Sequence, residues 1–548
     1  MSKVLFKSYN QGQIQLFPAR LDERISGDSP VRLINKIVDR LNISELISTY
    51  ESGGTTPYNP RMLLKVVFYA YMNNVYSCRK IEKLLEENIH YMWLSGSQYP
   101  SYSTINRFRS EHLKDCINHL FSQVVMLLVD MGQISLEVQY VDGTKIESVA
   151  NKYTFVWKKS TERNKSILEK KIQSVLSQID EGIAQDNACV SAETTFPIDS
   201  NYLRQRIDEL NRSNREQNKV EKKQIKELEK HQKKLQEYEQ KLEILGERNS
   251  YSKTDPDATF MRMKEDTMNN GQPKPGYNVQ IGTENQYITN FGLYHTPGDT
   301  TTLESFISLH KARFGNLPKE LCADAGYGSQ ENYELLESNE IEAFVKYRDF
   351  HREQKKSFRE NPFLQENLYY NEKKDCFVCP QGQAMFYIGE KERISDNGYV
   401  SKTSLYKAEN CQGCPLRSKC HKSLNDRIIE VNCKFKEYKT KAKERLNSSK
   451  GLEHRKKRSI EPEAVFGQIK FNKQYKRFRH KGWEKVNMDF GILIMAFNLQ
   501  KLYNRTTPKP PKGKNRKYST QNRLFLVVFF FLRKRKNCQK EVILKMAA

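Results

Sequence analysis

Two stretches decide the fold: LEVQYVDGTKIESVA at residues 136–150 and KELCADAGYGSQENYELL at residues 319–336. In the first, Val138, Tyr140 and their neighbours make a short β-rich run that ends in an acid and a glycine, Asp142 and Gly143. In the second, a short strand reaches Asp324, followed by glycines and a helical segment. Both acids thus stand where a hydrophobic strand gives way to small residues, and such strand ends are where α/β sheets place ligands. An aspartate before glycine is more often a turn former, so spacing alone makes neither residue a site.

Between these stretches, GYNVQIGTENQYITNFGLYHT reads as a hairpin turning near Glu284 and Asn285. TTLESFISLHKARFG reads as a helix from near Thr301, and EAFVKYR, Glu342 to Arg348, as a fifth strand. From about Ser160 to Arg248 the composition turns to Glu, Lys and Gln. Leu168, Ile172, Val175 and Ile179 share one helical face there, and Leu228, Leu235 and Leu242 recur every seventh residue. That segment, 160–249, is expected to be a helical, partly coiled-coil insertion; its heptads suit an intramolecular hairpin or dimerisation equally. TDPDA supplies Asp255 and Asp257 just before the second long strand, as functional acids or as a turn around Pro256.

At 548 residues the chain is long enough for two to four structural units. Its 91 Lys and Arg against 66 Asp and Glu leave a net charge of +25, beyond what solubility needs, which favours a polyanionic partner, nucleic acid first. A ribosomal factor or a membrane-surface protein would share that balance. No stretch has the roughly 18 to 20 apolar residues of a membrane span, and MSKVLFKSYNQGQIQLFPAR has no apolar core for a signal peptide. The expected compartment is cytoplasmic, where 11 cysteines are thiols or metal ligands rather than disulfides.

Residues 1–132 read as an all-α N-terminal domain. In NPRMLLKVVFYAYMNN, Pro60 starts a helix with an apolar face through Leu63, Val67 and Tyr71. In YSTINRFRSEHL, Ser103 is placed to cap a helix carrying Arg107 and Arg109, which either lie along DNA phosphates or are the solvated arginines of a plain bundle.

The motifs YVDGTKIES, TDPDA, GYNVQIG, ADAGYGSQEN and EAVFGQIK, in this order, resemble the catalytic domain of bacterial insertion-sequence DDE transposases, over about Tyr140 to Leu502. YNPRMLLKVVFYAY and SYSTINRFR resemble that family's N-terminal domain. The resemblance implies a ribonuclease-H-like α/β domain, a mixed five-stranded sheet with helices, over 133–505. It further implies a catalytic triad of Asp142, Asp324 and Glu463, with Lys470 seven residues beyond the glutamate. Two-metal phosphodiester chemistry needs such carboxylates converging from separate elements, and Mg²⁺ or Mn²⁺ suits oxygen ligands. The tyrosine and arginine that many relatives carry seven and four residues before the glutamate are Lys456 and Ser459 here, so Arg455 or Arg458 is expected to substitute in contacting DNA; Glu461 is the competing acid. The implied partners are double-stranded DNA, as transposon ends and target, and a second copy as a homodimer on DNA, with no membrane. A protein that only binds DNA, or a nuclease of the same fold without strand transfer, are the alternatives.

A cysteine-rich insertion, 370–435, holds Cys376 and Cys379 as one CxxC and Cys411, Cys414 and Cys420 in CQGCPLRSKC. Paired CxxC elements at this spacing fit a closed tetrahedral Zn²⁺ site; ordinary reduced thiols are the plain alternative. The set expected is Cys379, Cys411, Cys414 and Cys420, with Cys376 the competitor, because the CP form at Cys379 resembles the family's pattern. The basic tail, 506–548, is expected to be disordered and carries LFLVVFFFL, Leu524 to Leu532, an aggregation hazard too short to span a membrane.

Overall fold

Strand β1, Val138–Glu147, organises the larger of two units in the computed structural model, which describes residues 20–51, 56–186, 198–212, 219–263 and 271–507. Along Tyr140–Glu147, β1 pairs antiparallel with β5, Lys274–Glu284, while Val138–Tyr140 pair in parallel with β7, Glu320–Ala323. The sequence reads as a strand that ends at Asp142 and Gly143. Instead β1 continues, and only its ladder with β7 stops, at Tyr140. β5 turns into β6, Tyr287–Tyr294, through Asn285 (φ 52°) and Gln286 (φ 61°), both left-handed as a two-residue hairpin turn requires. β8, Glu342–Val345, lies parallel to β7, and short β4, Thr259–Met261, pairs with the start of β5. The path β4-β5-β1-β7-β8, with β6 on β5, makes six strands rather than five. Mixed pairing with flanking helices is compatible with a ribonuclease-H-like domain.

Helices Leu303–Phe314, Gln330–Ser338 and Cys433–Asn447 cover the sheet. Their Phe306, Leu336, Tyr438 and Leu446 share one buried cluster with Val141, Leu321, Phe344 and Val345. TDPDA braces this unit: Asp255 is fully buried and accepts hydrogen bonds from Ser148 Oγ (2.6 Å), Tyr277 OH (3.1 Å) and the Gly482 N–H (2.9 Å), while Asp257 accepts from the Trp483 N–H (2.7 Å).

Two segments interrupt the sheet. Between β2, Phe155–Trp157, and β3, Ser250–Ser252, run helices Lys158–Asp186, Ser200–Arg212 and Lys219–Leu245. Leu168, Ile172, Leu203, Ile207, Leu228 and Leu235 bury one another there, so these heptad leucines are satisfied within the chain. After β8 comes an antiparallel sheet: β9 (Tyr369–Asn371), β10 (Cys376–Val378), β11 (Ala384–Ile394), β12 (Val400–Ala408) and β13 (Ile428–Val431), hydrogen-bonded in chain order.

The other unit comprises the described residues before Ser135 and those from Asn487 on. Helix Pro60–Met72, capped by Asn59 Oδ1, which accepts from the Arg61 and Met62 N–H groups, is buried on every face from Met62 to Met72 except at Lys65, rather than along one stripe. A helix apolar all round is a core helix. Ser101, not Ser103, caps helix Tyr102–Arg107 by accepting from the Thr104 N–H. Among the described residues no helix is long and apolar enough to cross a membrane. The tail beyond Thr507, with Leu524 to Leu532, lies outside the described residues.

Candidate active site

The parallel ladder that sets Tyr140 opposite Cys322 brings Asp142 and Asp324, each two residues further on, to the same end of neighbouring strands. Asp142 is buried and accepts the Gly143 N–H on Oδ1 (2.9 Å). Asp324 accepts the Gly326 N–H on Oδ1 (2.9 Å), capping the turn Ala325–Tyr327. Side chains alternate along a strand, so Tyr140, Asp142 and Thr144 share a face. Helix Ser449–Ile460 lies on it: His454 meets the Tyr140 hydroxyl (2.9 Å) and Glu320 (3.0 Å). One turn later, Arg458 reaches the acids.

Arg458 ties the three predicted acids together. Its Nη2 stands 3.6 Å from Asp142 Oδ1 and 3.5 Å from Asp324 Oδ2, and its Nη1 donates to Glu463 Oε1 at 3.0 Å. Glu463 sits in the first turn of helix Pro462–Gly467 with its side chain half exposed, so strand, strand-end turn and helix each contribute one carboxylate. Glu461 points elsewhere, buried and accepting the Gln286 N–H at 2.6 Å. Lys470 is buried, and its Nζ donates to Thr144 Oγ1 at 2.7 Å, on the strand face that carries Asp142.

Asp299 is a fourth acid, which the sequence did not single out. Asn278 Nδ2 (2.9 Å) and Gln280 Nε2 (2.7 Å), both on β5, donate to its Oδ1. A Cβ at Gly143 would fall 2.7 Å from that oxygen and 2.3 Å from Gln280 Nε2, so the glycine after Asp142 makes room for this pair. Tyr327, whose hydroxyl donates to Gln280 Oε1, has its pKa pushed well above the usual tyrosine range by burial and then by the charges of Asp299, Asp142 and Asp324. Lys346, half-buried after β8, has its pKa lowered by burial and then by Arg458 and Arg455.

Do these residues suit divalent cations? Three hard carboxylate oxygens from separate elements already surround one positive charge at 3.0–3.6 Å, which is the donor chemistry such ions require. Among the described residues no three acidic, histidine or cysteine groups converge tightly enough to form a metal shell, and here the Arg458 guanidinium stands between the acids.

The remaining candidates separate. Arg109 does not face solvent: it is 2% exposed, its Nη2 lies 3.3 Å from buried Asp489, and its Nη1 donates to the Tyr76 carbonyl (2.9 Å). Its reading as a phosphate contact is therefore corrected to a core ion pair. Arg107 is exposed and near Glu111 (3.4 Å). Arg455 lies over the Phe350 ring at 5.0 Å, with Nη1 toward Asn447. Cys379, Cys411, Cys414 and Cys420 line one cavity, whereas Cys376 is buried in β10 and Cys433 is exposed at a helix start.

Two family models match the chain: Transposase DDE domain over residues 378–503, and Transposase domain (DUF772) over residues 19–111. The first covers Glu463, Lys470 and the four cavity cysteines; Asp142 and Asp324 precede it. No curated protein matches the sequence.

Proposed function

We propose that this chain, which belongs to the DDE transposases of insertion sequences, binds the terminal inverted repeats of its own element, hydrolyses phosphodiesters there and joins the freed 3′ hydroxyl to target DNA. The observation that carries this reading is the meeting of Asp142, Asp324 and Glu463 around one guanidinium. In it, Asp142, Asp324 and Glu463 would hold Mg²⁺ or Mn²⁺, which when bound activates the attacking oxygen and stabilises the leaving one.

The chain's own residues do the rest. Asp142 is held by its burial in β1, and Asp324 by its turn cap, so both carboxylates are positioned before DNA arrives. Glu463, half exposed on a short helix, is the member with freedom to adjust. Arg458 offsets the charge of three clustered acids and, once withdrawn from them, is free to neutralise a DNA phosphate. Lys470 is a second phosphate-binding cation in this reading, anchored through Thr144. Such contacts position the DNA without reading its sequence. Synapsis of two ends calls for two active sites, so the working species is a homodimer on DNA.

The test replaces each acid by its amide. Asp142→Asn, Asp324→Asn and Glu463→Gln keep volume and remove ligand charge, so each is expected to abolish Mg²⁺-dependent cleavage of end DNA while retaining end binding in a gel shift. Near-wild-type cleavage by any of them would remove that residue from the metal site.

A further inference from the structure

We propose that the small sheet β9–β13 is closed by one structural zinc ion, held by Cys379, Cys411, Cys414 and Cys420. Cys379 lies in the turn from β10 to β11, and the other three in the connection from β12 to β13. These are sequence-distant segments, yet all four thiols line one cavity of about 20 Å³, room for a single small ion or water.

Two observations point to a cation there, the donors on the sulfurs and the thin core of the sheet, and a third makes His421 the competing fourth ligand. Arg427 provides hydrogen bonds to two of the sulfurs, its backbone N–H to Cys411 (3.4 Å) and its Nη1 to Cys420 (3.2 Å). Donors of this kind orient metal-bound thiolates and offset their charge. Next to them, His421 Nε2 is bonded to the Asn425 carbonyl (3.0 Å), which makes Nε2 the protonated nitrogen and leaves a lone pair on Nδ1. That Nδ1 is buried without a hydrogen-bond partner, on the wall of the same cavity. Finally, the sheet has a thin core: Phe377, Met385, Tyr406, Ala408, Ile429 and Val431 are its buried cluster, and Cys379 and Cys411 pack against it. Small units with so little apolar burial are commonly completed by a metal or by disulfides.

As the side chains stand, no three of these groups converge tightly enough to hold a metal ion, so binding requires the thiols to close on the cavity. Arg417 ties the connection from β12 to β13 together through the Cys411 carbonyl (2.8 Å) and the Ser423 carbonyl (2.9 Å). Four thiolates leave no open position, which makes the site structural rather than catalytic. Cys420 is preferred over His421 as fourth ligand because it shares the Arg427 donors with Cys411. Cys376 is excluded because it is buried in β10, away from the cavity.

The full chain, purified under reducing conditions without chelator, is expected to carry about one zinc per chain. Protein expressed in cobalt-supplemented medium should show a thiolate-to-cobalt charge-transfer band and tetrahedral d–d absorption, a readout that needs no variant to fold. Cys379→Ser, Cys411→Ser, Cys414→Ser and Cys420→Ser should each lose the metal, whereas Cys376→Ser, Cys433→Ser and His421→Ala should keep it. Zinc-free protein with a cobalt sample lacking both bands would overturn the site. Metal loss from His421→Ala with retention by Cys420→Ser would overturn the ligand set. Neither outcome bears on the acidic site, whose test reads DNA cleavage.

Discussion

At the scale of single residues, the candidate site is set by three acids and the one guanidinium they share. Asp142, Asp324 and Glu463 carry recognisable neighbours, and the fold brings all three to one guanidinium. Asp299 carries none: in HTPGDTT it looks like any loop acid, and its place beside Gly143 and Gly326 exists only in three dimensions. Because Asn278 and Gln280 hold its Oδ1 next to the aspartate pair, Asp299→Asn is expected to raise the Mg²⁺ concentration needed for half-maximal cleavage ~10- to 100-fold, with end binding unchanged. A metal titration of cleavage rate decides this; an unaltered midpoint would reduce Asp299 to a loop brace. Arg109 was misread for the converse reason. Sequence shows a basic residue on a helix near Arg107, but not which of the two turns inward, and only the packing against Tyr71 and Asp489 reveals it.

At the scale of elements, periodicity located the strands, the hairpin and the charged helices, but burial on all sides and chain-distant pairing escaped it. The spacing of Leu63, Val67 and Tyr71 describes one face of Pro60–Met72 and misses the others, which its few polar positions, those of a core helix, leave buried as well. The helix residues from Asn487 on supply Asp489, which accepts from the Tyr71 hydroxyl and pairs with Arg109. Breaking a buried pair leaves an uncompensated charge, so Arg109→Met is expected to cost ~3–5 kcal/mol of stability in urea unfolding. Arg107→Ala, at an exposed pair, should cost at most ~1 kcal/mol while weakening DNA binding. Equal stability of the two variants would contradict the core ion pair. A fragment ending at residue 132 would lack Asp489, so end recognition is best measured on the full chain. Why β9–β13 form a sheet was not legible either, since β11 and β12, AMFYIGEKERI and VSKTSLYKA, are largely exposed and give no sustained apolar–polar alternation.

At the scale of the whole molecule, a net charge of +25 forecasts affinity for DNA that falls steeply as salt rises, because each neutralised phosphate releases counterions. That slope should be nearly equal for end and scrambled duplexes in competition, with preference for the end persisting at every salt concentration; a preference that vanishes at physiological salt would place end recognition outside this chain. The chemistry proposed is that one site of three acids both cuts DNA and joins it. Its most direct measurement supplies a pre-cleaved end with a free 3′ hydroxyl, target plasmid and Mg²⁺, and scores the joined product. Wild-type protein should yield it, and Asp142→Asn, Asp324→Asn and Glu463→Gln should not. Cleavage of intact ends by the wild type with no joined product from pre-cleaved ones would contradict the account and leave a nuclease of the same fold.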